Sequence, residues 1–113
     1  MKTPLEVHTE SVGDLPVVTV TGEIDITSAP LLRDELEGLI TPAASTVVVD
    51  LTETTFFDST GIATLVRAHK LCHEAGGRLR VVDPNATTLR IFRATGLVGV
   101  FALFSTLDEA LAG

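Results

Sequence analysis

The chain has 113 residues, 45% of them hydrophobic and 20% charged, with a formal net charge of -7. That length allows one domain, spanning 1–113, around a single core, and the apolar content excludes a disordered chain. The acidic balance excludes general attraction to a nucleic-acid backbone, which draws on clustered Lys and Arg; Arg67, Arg78, Arg80, Arg90 and Arg93 read as solvated helix and strand faces.

Leu5 to Thr9 and Pro16 to Thr21 are rich in β-branched residues and are separated by the turn signal Ser11-Val12-Gly13-Asp14, which predicts a hairpin. After Gly22-Glu23-Ile24-Asp25 the period changes. Leu31, Leu32, Leu36 and Leu39 recur at helical spacing, with Thr27 or Ser28 as N-cap, Pro30 in the first turn and an end near Ile40, before Pro42. Val47-Val48-Val49-Asp50-Leu51 is a continuous apolar run closed by an acid, the pattern of a central strand covered on both faces. A helix beginning near Thr60 carries Ile62, Leu65, Val66, His69 and Cys72 on one stripe and stops at Gly76-Gly77. Leu79 to Val82 is a further strand. Asn85 is placed to cap a helix with Leu89, Ile91, Phe92 and Leu97 inward; Val100 to Phe104 reads as a last strand and Leu107 to Leu111 as a closing helix. The order ββαβαβαβα predicts an α/β fold: a mostly parallel, mixed sheet with an N-terminal antiparallel hairpin and about four helices.

No apolar run approaches the roughly 18 residues needed to span a bilayer, and the opening Met1 to Glu6 lacks the apolar core of a signal peptide. A cytoplasmic protein is expected. Cys72 is the only cysteine, so an intramolecular disulfide is excluded and a reducing compartment fits.

Phe56-Phe57-Asp58-Ser59-Thr60-Gly61 lies between the central strand and the following helix, the region where open α/β sheets place their sites. A serine at a helix start meets unpaired N–H groups and the positive end of the macrodipole, which favour an attached phosphate. Asp58 or Ser59 would serve equally as an ordinary helix cap, and the residues alone leave both readings open. Gly61 removes a side chain beside the serine, leaving room for a partner to approach. One of the two phenylalanines anchors the segment in the core, and the other is a surface aromatic.

Val47 to Leu51, Phe57-Asp58-Ser59-Thr60-Gly61-Ile62, Gly76-Gly77 and Ala94-Thr95-Gly96-Leu97 ahead of Phe101 together resemble the anti-sigma factor antagonist family, built on the STAS domain. The likeness runs nearly end to end, including Gly22-Glu23-Ile24-Asp25 and Thr106 to Leu111. It implies a phosphoacceptor at Ser59, acted on by a partner that is both anti-sigma factor and serine kinase. The unphosphorylated protein would bind that partner and free a sigma factor, phosphorylation would end the binding, and a metal-dependent serine phosphatase would reverse it. Asp25, Asp58, Ser59, Thr60 and Gly61 are the implied partner-binding residues; Asp25 also reads simply as a turn or capping acid. The protein would be substrate and ligand, without a catalytic residue, cofactor or metal of its own, and a monomer or weak dimer.

Competing chemistries lack their residues. A receiver domain using Asp50 as phosphoacceptor needs an acidic pair after the first strand and a lysine after the last, whereas the only lysines are Lys2 and Lys70. Phe57 stands where a serine hydrolase needs glycine, and two residues separate Asp58 from Gly61, where a dimeric aspartic protease has one. His69, Cys72 and His73 share a helix without an intervening glutamate, so a packed helix face is expected there and no zinc. A scaffold module of a signalling assembly remains the alternative within the same domain type.

Overall fold

The computed structural model describes residues 4–83 and 86–113. Strand β1 (Glu6–Val12) turns at Gly13-Asp14 into β2 (Leu15–Ile24) as an antiparallel hairpin, with Glu6 opposite Thr21 and Val12 opposite Leu15. Helix α1 (Ala29–Leu39) leads back to the central strand β3 (Val47–Asp50), which pairs in parallel with β2 on one side and with β5 (Leu79–Val82) on the other. β6 (Ala102–Phe104) extends the sheet beyond β5, giving the order β1-β2-β3-β5-β6. Helices α2 (Ser59–Glu74), α3 (Ala86–Ala94) and α4 (Leu107–Ala112) complete the fold.

The β-period sorts the strand residues into two cores. Val18, Val20, Val49 and Val81 join Leu32 and Leu36 of α1, Leu65 and Cys72 of α2 and Phe92 of α3 in one buried cluster. Val17, Val48 and Val82 point the other way, against Ala110, Leu107 and Leu111 of α4. This is why Val47, Val48 and Val49 are all fully buried: β3 is covered on both faces, as its unbroken apolar run predicts. Arg80, half-buried on β5, donates from Nη1 to the Ala110 carbonyl at 2.9 Å and so fastens α4. Arg67 pairs with Glu37 across α1 and α2. Arg80 therefore ties elements together, while Arg67, its side chain 62% exposed beside Glu37, and Arg78, Arg90 and Arg93 lie on the surface as expected.

One strand was not anticipated. Thr54–Phe57 forms β4 and pairs in parallel with the end of β2, matching Gly22 with Thr54, Glu23 with Phe56 and Ile24 with Phe57. β2 has ten residues and β3 four, so β2 overhangs and its terminal hydrogen-bonding groups need another partner. The chain supplies it by turning through Asp50, whose carboxylate accepts from the backbone N–H and hydroxyl of Thr52. Thr54, also buried, donates its hydroxyl to the Val20 carbonyl at 3.0 Å. Asp50 is thus a turn-forming residue.

Four further details differ from the sequence expectation. Leu31 is 54% exposed, because α1 buries the Ala29, Leu32 and Leu36 side. Leu97 lies beyond α3, in a separate 3₁₀ turn (Leu97–Gly99), since Gly96 at φ 76° breaks the helix. Within α3 itself Thr88 and Phe92 are buried, while Leu89 and Ile91 are only partly so. The last strand starts at Ala102, leaving Val100 exposed and Phe101 buried outside it. The expected cap Asn85 falls outside the described residues.

α2 ends where the glycine pair predicts, with Gly76 in the left-handed region at φ 92°. Gly77 passes so close to the preceding segment that a Cβ there would sit 2.2 Å from the Ser45 carbonyl oxygen. The His69 ring packs edge-on against Phe101 at 6.0 Å and stacks with His73 at 6.3 Å. Cys72 is fully buried, and burial pushes its thiol up to about 11, which keeps it protonated and inert at neutral pH. Among the described residues no group of three or more His, Cys, Asp or Glu is arranged to hold a metal, and no helix is long and apolar enough to cross a membrane.

Candidate functional site

The site begins where β2 and β4 end. Ile24 and Phe57 are the last residues in register, and the Asp58 N–H donates to the Ile24 carbonyl at 3.2 Å. Asp25 and Asp58 are the next residues on two parallel strands, whose spacing is about 4.8 Å. Two acids therefore leave the carboxyl edge of the sheet side by side, where α/β folds present their functional groups.

Each acid organises the helix that follows it. Asp25 Oδ1 accepts from the backbone N–H groups of Thr27 and Ser28, both at 3.0 Å, and from the Ser28 hydroxyl at 3.1 Å. Ser28 occupies the N-cap position of α1, but its side chain makes no capping bond there; Asp25 closes the turn instead. Asp58 is the N-cap of α2, and its Oδ1 accepts from the N–H of Thr60 at 2.9 Å and of Gly61 at 3.1 Å. Such a cap stabilises a helix by about 1 kcal/mol.

This arrangement separates the two roles that the sequence left open. Asp58 does the capping, so Ser59 is released from it and stands as the first residue of α2, exposed. Among the described residues the Ser59 hydroxyl has no hydrogen-bond partner. Thr60 is half-buried, and its carbonyl accepts from the Thr64 hydroxyl at 3.0 Å. A surface groove of about 430 Å³ starts at Ser59 and follows α2 past Ile62, Ala63 and Val66 to Arg67 and Lys70.

The space left by Gly61 is internal, contrary to the reading that it admits a partner. Gly61 is buried, and a Cβ there would lie 2.8 Å from Ile24 Cγ2 and 3.2 Å from Phe57 Cε1. The missing side chain lets the first turn of α2 settle on the ends of β2 and β4. Gly61→Ala is expected to cost about 1–3 kcal/mol by overpacking. Urea unfolding measures it, and an unchanged stability would show that Ile24 yields freely.

The phenylalanines divide as anticipated. Phe57 is buried and meets Phe92 edge-on at 6.2 Å, which anchors the residue preceding Asp58, while Phe56 faces outward. Glu23 lies opposite Phe56 in the register, with one carboxylate oxygen buried and without a hydrogen-bond partner among the described residues. Ile26, between the two acid-closed segments, is exposed. Neither Glu23 nor Ile26 stands out in the sequence, because nothing in the linear pattern shows that the β2 end and β4 lie together.

Comparison with known proteins agrees with this topology. The STAS domain family model matches residues 6–110. The anti-sigma-B factor antagonist of Bacillus subtilis is 35% identical over 80 residues, covering 71% of this chain and 72% of that protein. The crystal structure of an anti-sigma factor antagonist from Mycobacterium paratuberculosis superposes with a TM-score of 0.89 at 30% identity, over 99% of this chain and 97% of that one. The Bacillus cell fate determinant SpoIIAA, solved in its phosphorylated form, shares the fold with a TM-score of 0.75 at 21% identity, over 95% and 97% of the two chains. With the strand order β1-β2-β3-β5-β6, β4 paired to β2, and a family match over residues 6–110, the chain belongs to the STAS domain family, alongside the anti-sigma factor antagonists.

Proposed function

We propose that this chain is an anti-sigma factor antagonist that works by partner switching, with Ser59 as its single phosphoacceptor. The observation that carries the reading is the division of labour at the start of α2: Asp58 satisfies the helix cap, and the Ser59 hydroxyl is left exposed beside it. In this reading the unmodified protein docks on an anti-sigma factor that is also a serine kinase, in the cytoplasm, and thereby frees a sigma factor.

The phosphoryl transfer needs no catalytic group from this chain. Ser59 Oγ attacks the γ-phosphorus of the kinase's ATP, the new O–P bond forms, the β–γ bridging bond breaks, and ADP leaves. The hydroxyl proton passes to a base of the kinase. The N-terminus of α2 stabilises the new phosphate by about 0.3–1 kcal/mol, so the fold is retained while the surface charge changes by about −1.5 to −2. A serine phosphatase restores the hydroxyl by directing water onto phosphorus, releasing inorganic phosphate.

Incubation with candidate anti-sigma kinases and ATP is expected to add one phosphate, read by intact mass and assigned to Ser59 by peptide mapping. Modification confined to Thr60 or to another residue would sink the assignment.

A further inference from the structure

The first four N–H groups of a helix have no carbonyl partner within it. In α2 they belong to Asp58, Ser59, Thr60 and Gly61, and the first intrahelical bond runs from the Ile62 N–H to the Asp58 carbonyl at 3.1 Å. The Asp58 N–H donates to the Ile24 carbonyl of β2, and Asp58 Oδ1 accepts from those of Thr60 and Gly61. The helix end is therefore filled before any phosphate arrives, apart from the N–H of Ser59 itself.

Ser59 is exposed, one residue along from that carboxylate. A phosphate on its hydroxyl carries three strong acceptor oxygens and about −1.5 to −2 charges, and at a bare helix end it would turn inward onto the free N–H groups. Here another anion holds two of those donors. Displacing Asp58 would break two charge-assisted bonds, and joining it would set two negative groups against the same pair of donors. Nor can the donors swing toward the phosphate. Gly61 is buried, with so little room that a Cβ would lie 2.8 Å from Ile24 Cγ2 and 3.2 Å from Phe57 Cε1, so the first turn of α2 is seated on β2 and β4.

Resting on the proposed function, we infer that Asp58 is a positioning residue for the phosphorylated state: it keeps the Ser59 phosphate turned out to solvent, where a phosphatase reaches it. The lifetime of the modified form is thereby shortened. What the helix end gives the phosphate is the long-range field of its dipole, without direct bonds from Thr60 or Gly61. The unmodified protein is untouched by this competition, because a neutral hydroxyl is the weaker acceptor.

The test uses the full chain with Ser59 supplied as phosphoserine during translation, beside the same chain carrying Asp58→Ala or Asp58→Asn. Phosphorus NMR follows the second ionisation of the phosphate, which lies at about pH 6 when unperturbed. Amide NMR follows the Thr60 and Gly61 N–H groups over the same range. In Asp58→Ala the freed N–H groups are expected to take the phosphate. Its pKa then falls by about half a pH unit or more, since bonds to the charged form favour it, and both amides move with the same midpoint. Asparagine keeps an oxygen acceptor at the cap and drops the charge, so in Asp58→Asn the two amides should stay with the cap, as in the natural chain. A phosphatase of broad specificity, which needs no docking surface on this protein, should clear Asp58→Ala about tenfold more slowly than the natural chain.

Two results overturn the inference. Amides that follow the phosphate titration in the natural chain as they do in Asp58→Ala would mean that the phosphate displaces the carboxylate. Equal rates of dephosphorylation would mean that turning inward does not shield it. Because the phosphoserine is built in, neither result touches the proposed function, which stands or falls on the kinase experiment.

Discussion

If Ser59 is the phosphoacceptor of the proposed partner switch, the phosphorylated protein is expected to bind the proposed kinase about a hundredfold more weakly than the unmodified chain. Asp25 and Asp58 already stand side by side at the strand ends, and the phosphate adds about −1.5 to −2 charges next to them. In the proposed switch, a surface that meets the partner with an uncharged hydroxyl would then present a bulky dianion. Like-charge or unpaired charge at an interface costs several kcal/mol, and every 1.4 kcal/mol is tenfold in Kd, so about 3 kcal/mol gives the stated effect. Ser59→Ala is expected to bind within about threefold of the natural chain, because the hydroxyl makes no bond in the free protein whose loss would disturb α2. Ser59→Asp adds one charge and should fall between.

Titration calorimetry on the three proteins and the phosphorylated chain checks the order. Repetition at high salt separates the causes: screening shrinks a charge effect, whereas a gap that ignores ionic strength belongs to steric bulk. Equal affinity of the phosphorylated and unmodified chains would remove the switch itself.

The second large effect lies in the core. Phe92 is fully buried and meets Phe57 edge-on at 6.2 Å and Phe101 at 5.4 Å. It is the ring through which α3 and the segment before β6 reach the residue preceding Asp58. Phe92→Ala is expected to destabilise the protein by about 3–5 kcal/mol, combining lost transfer free energy with a residual cavity. For a domain of this size that lowers the melting temperature by roughly 10–20 °C, a large share of a total stability of about 5–15 kcal/mol. Denaturant unfolding measures it. A loss below about 1 kcal/mol would mean that Phe57 and Phe101 close over the gap and that α3 does not brace the site. Since Phe57 fixes the entry to α2, the variant should also loosen the geometry in which Ser59 is presented, seen as a fall in kcat for the proposed kinase at temperatures where the variant is still folded.

These two predictions draw on different levels of the chain. Ser59 at a helix start after an acid is a local pattern, and local patterns survive in the linear sequence: the valine run of β3, the Leu32–Leu36 spacing of α1 and the glycine pair closing α2 were readable for the same reason. A central strand buried on both faces must be apolar throughout, and a helix with one buried side must repeat near 3.6 residues. The family resemblance added the end-to-end register that no single segment carries.

The α/β alternation, the hairpin, the place of Ser59 and the acidic character of the chain are all legible in the linear pattern. The assembly of the site depends on pairing between distant segments. β4 exists because a long β2 overhangs a short β3, a mismatch of lengths between strands far apart in sequence. That pairing sets Asp58 beside Asp25, turns Phe57 inward and Phe56 outward, and fills the space at Gly61 with Ile24 and Phe57 in place of a partner. Whether Asp58 or Ser59 caps α2 likewise rests on which oxygen reaches the Thr60 and Gly61 N–H groups. Asp58 does, and the serine named by the sequence is therefore the one left in solvent.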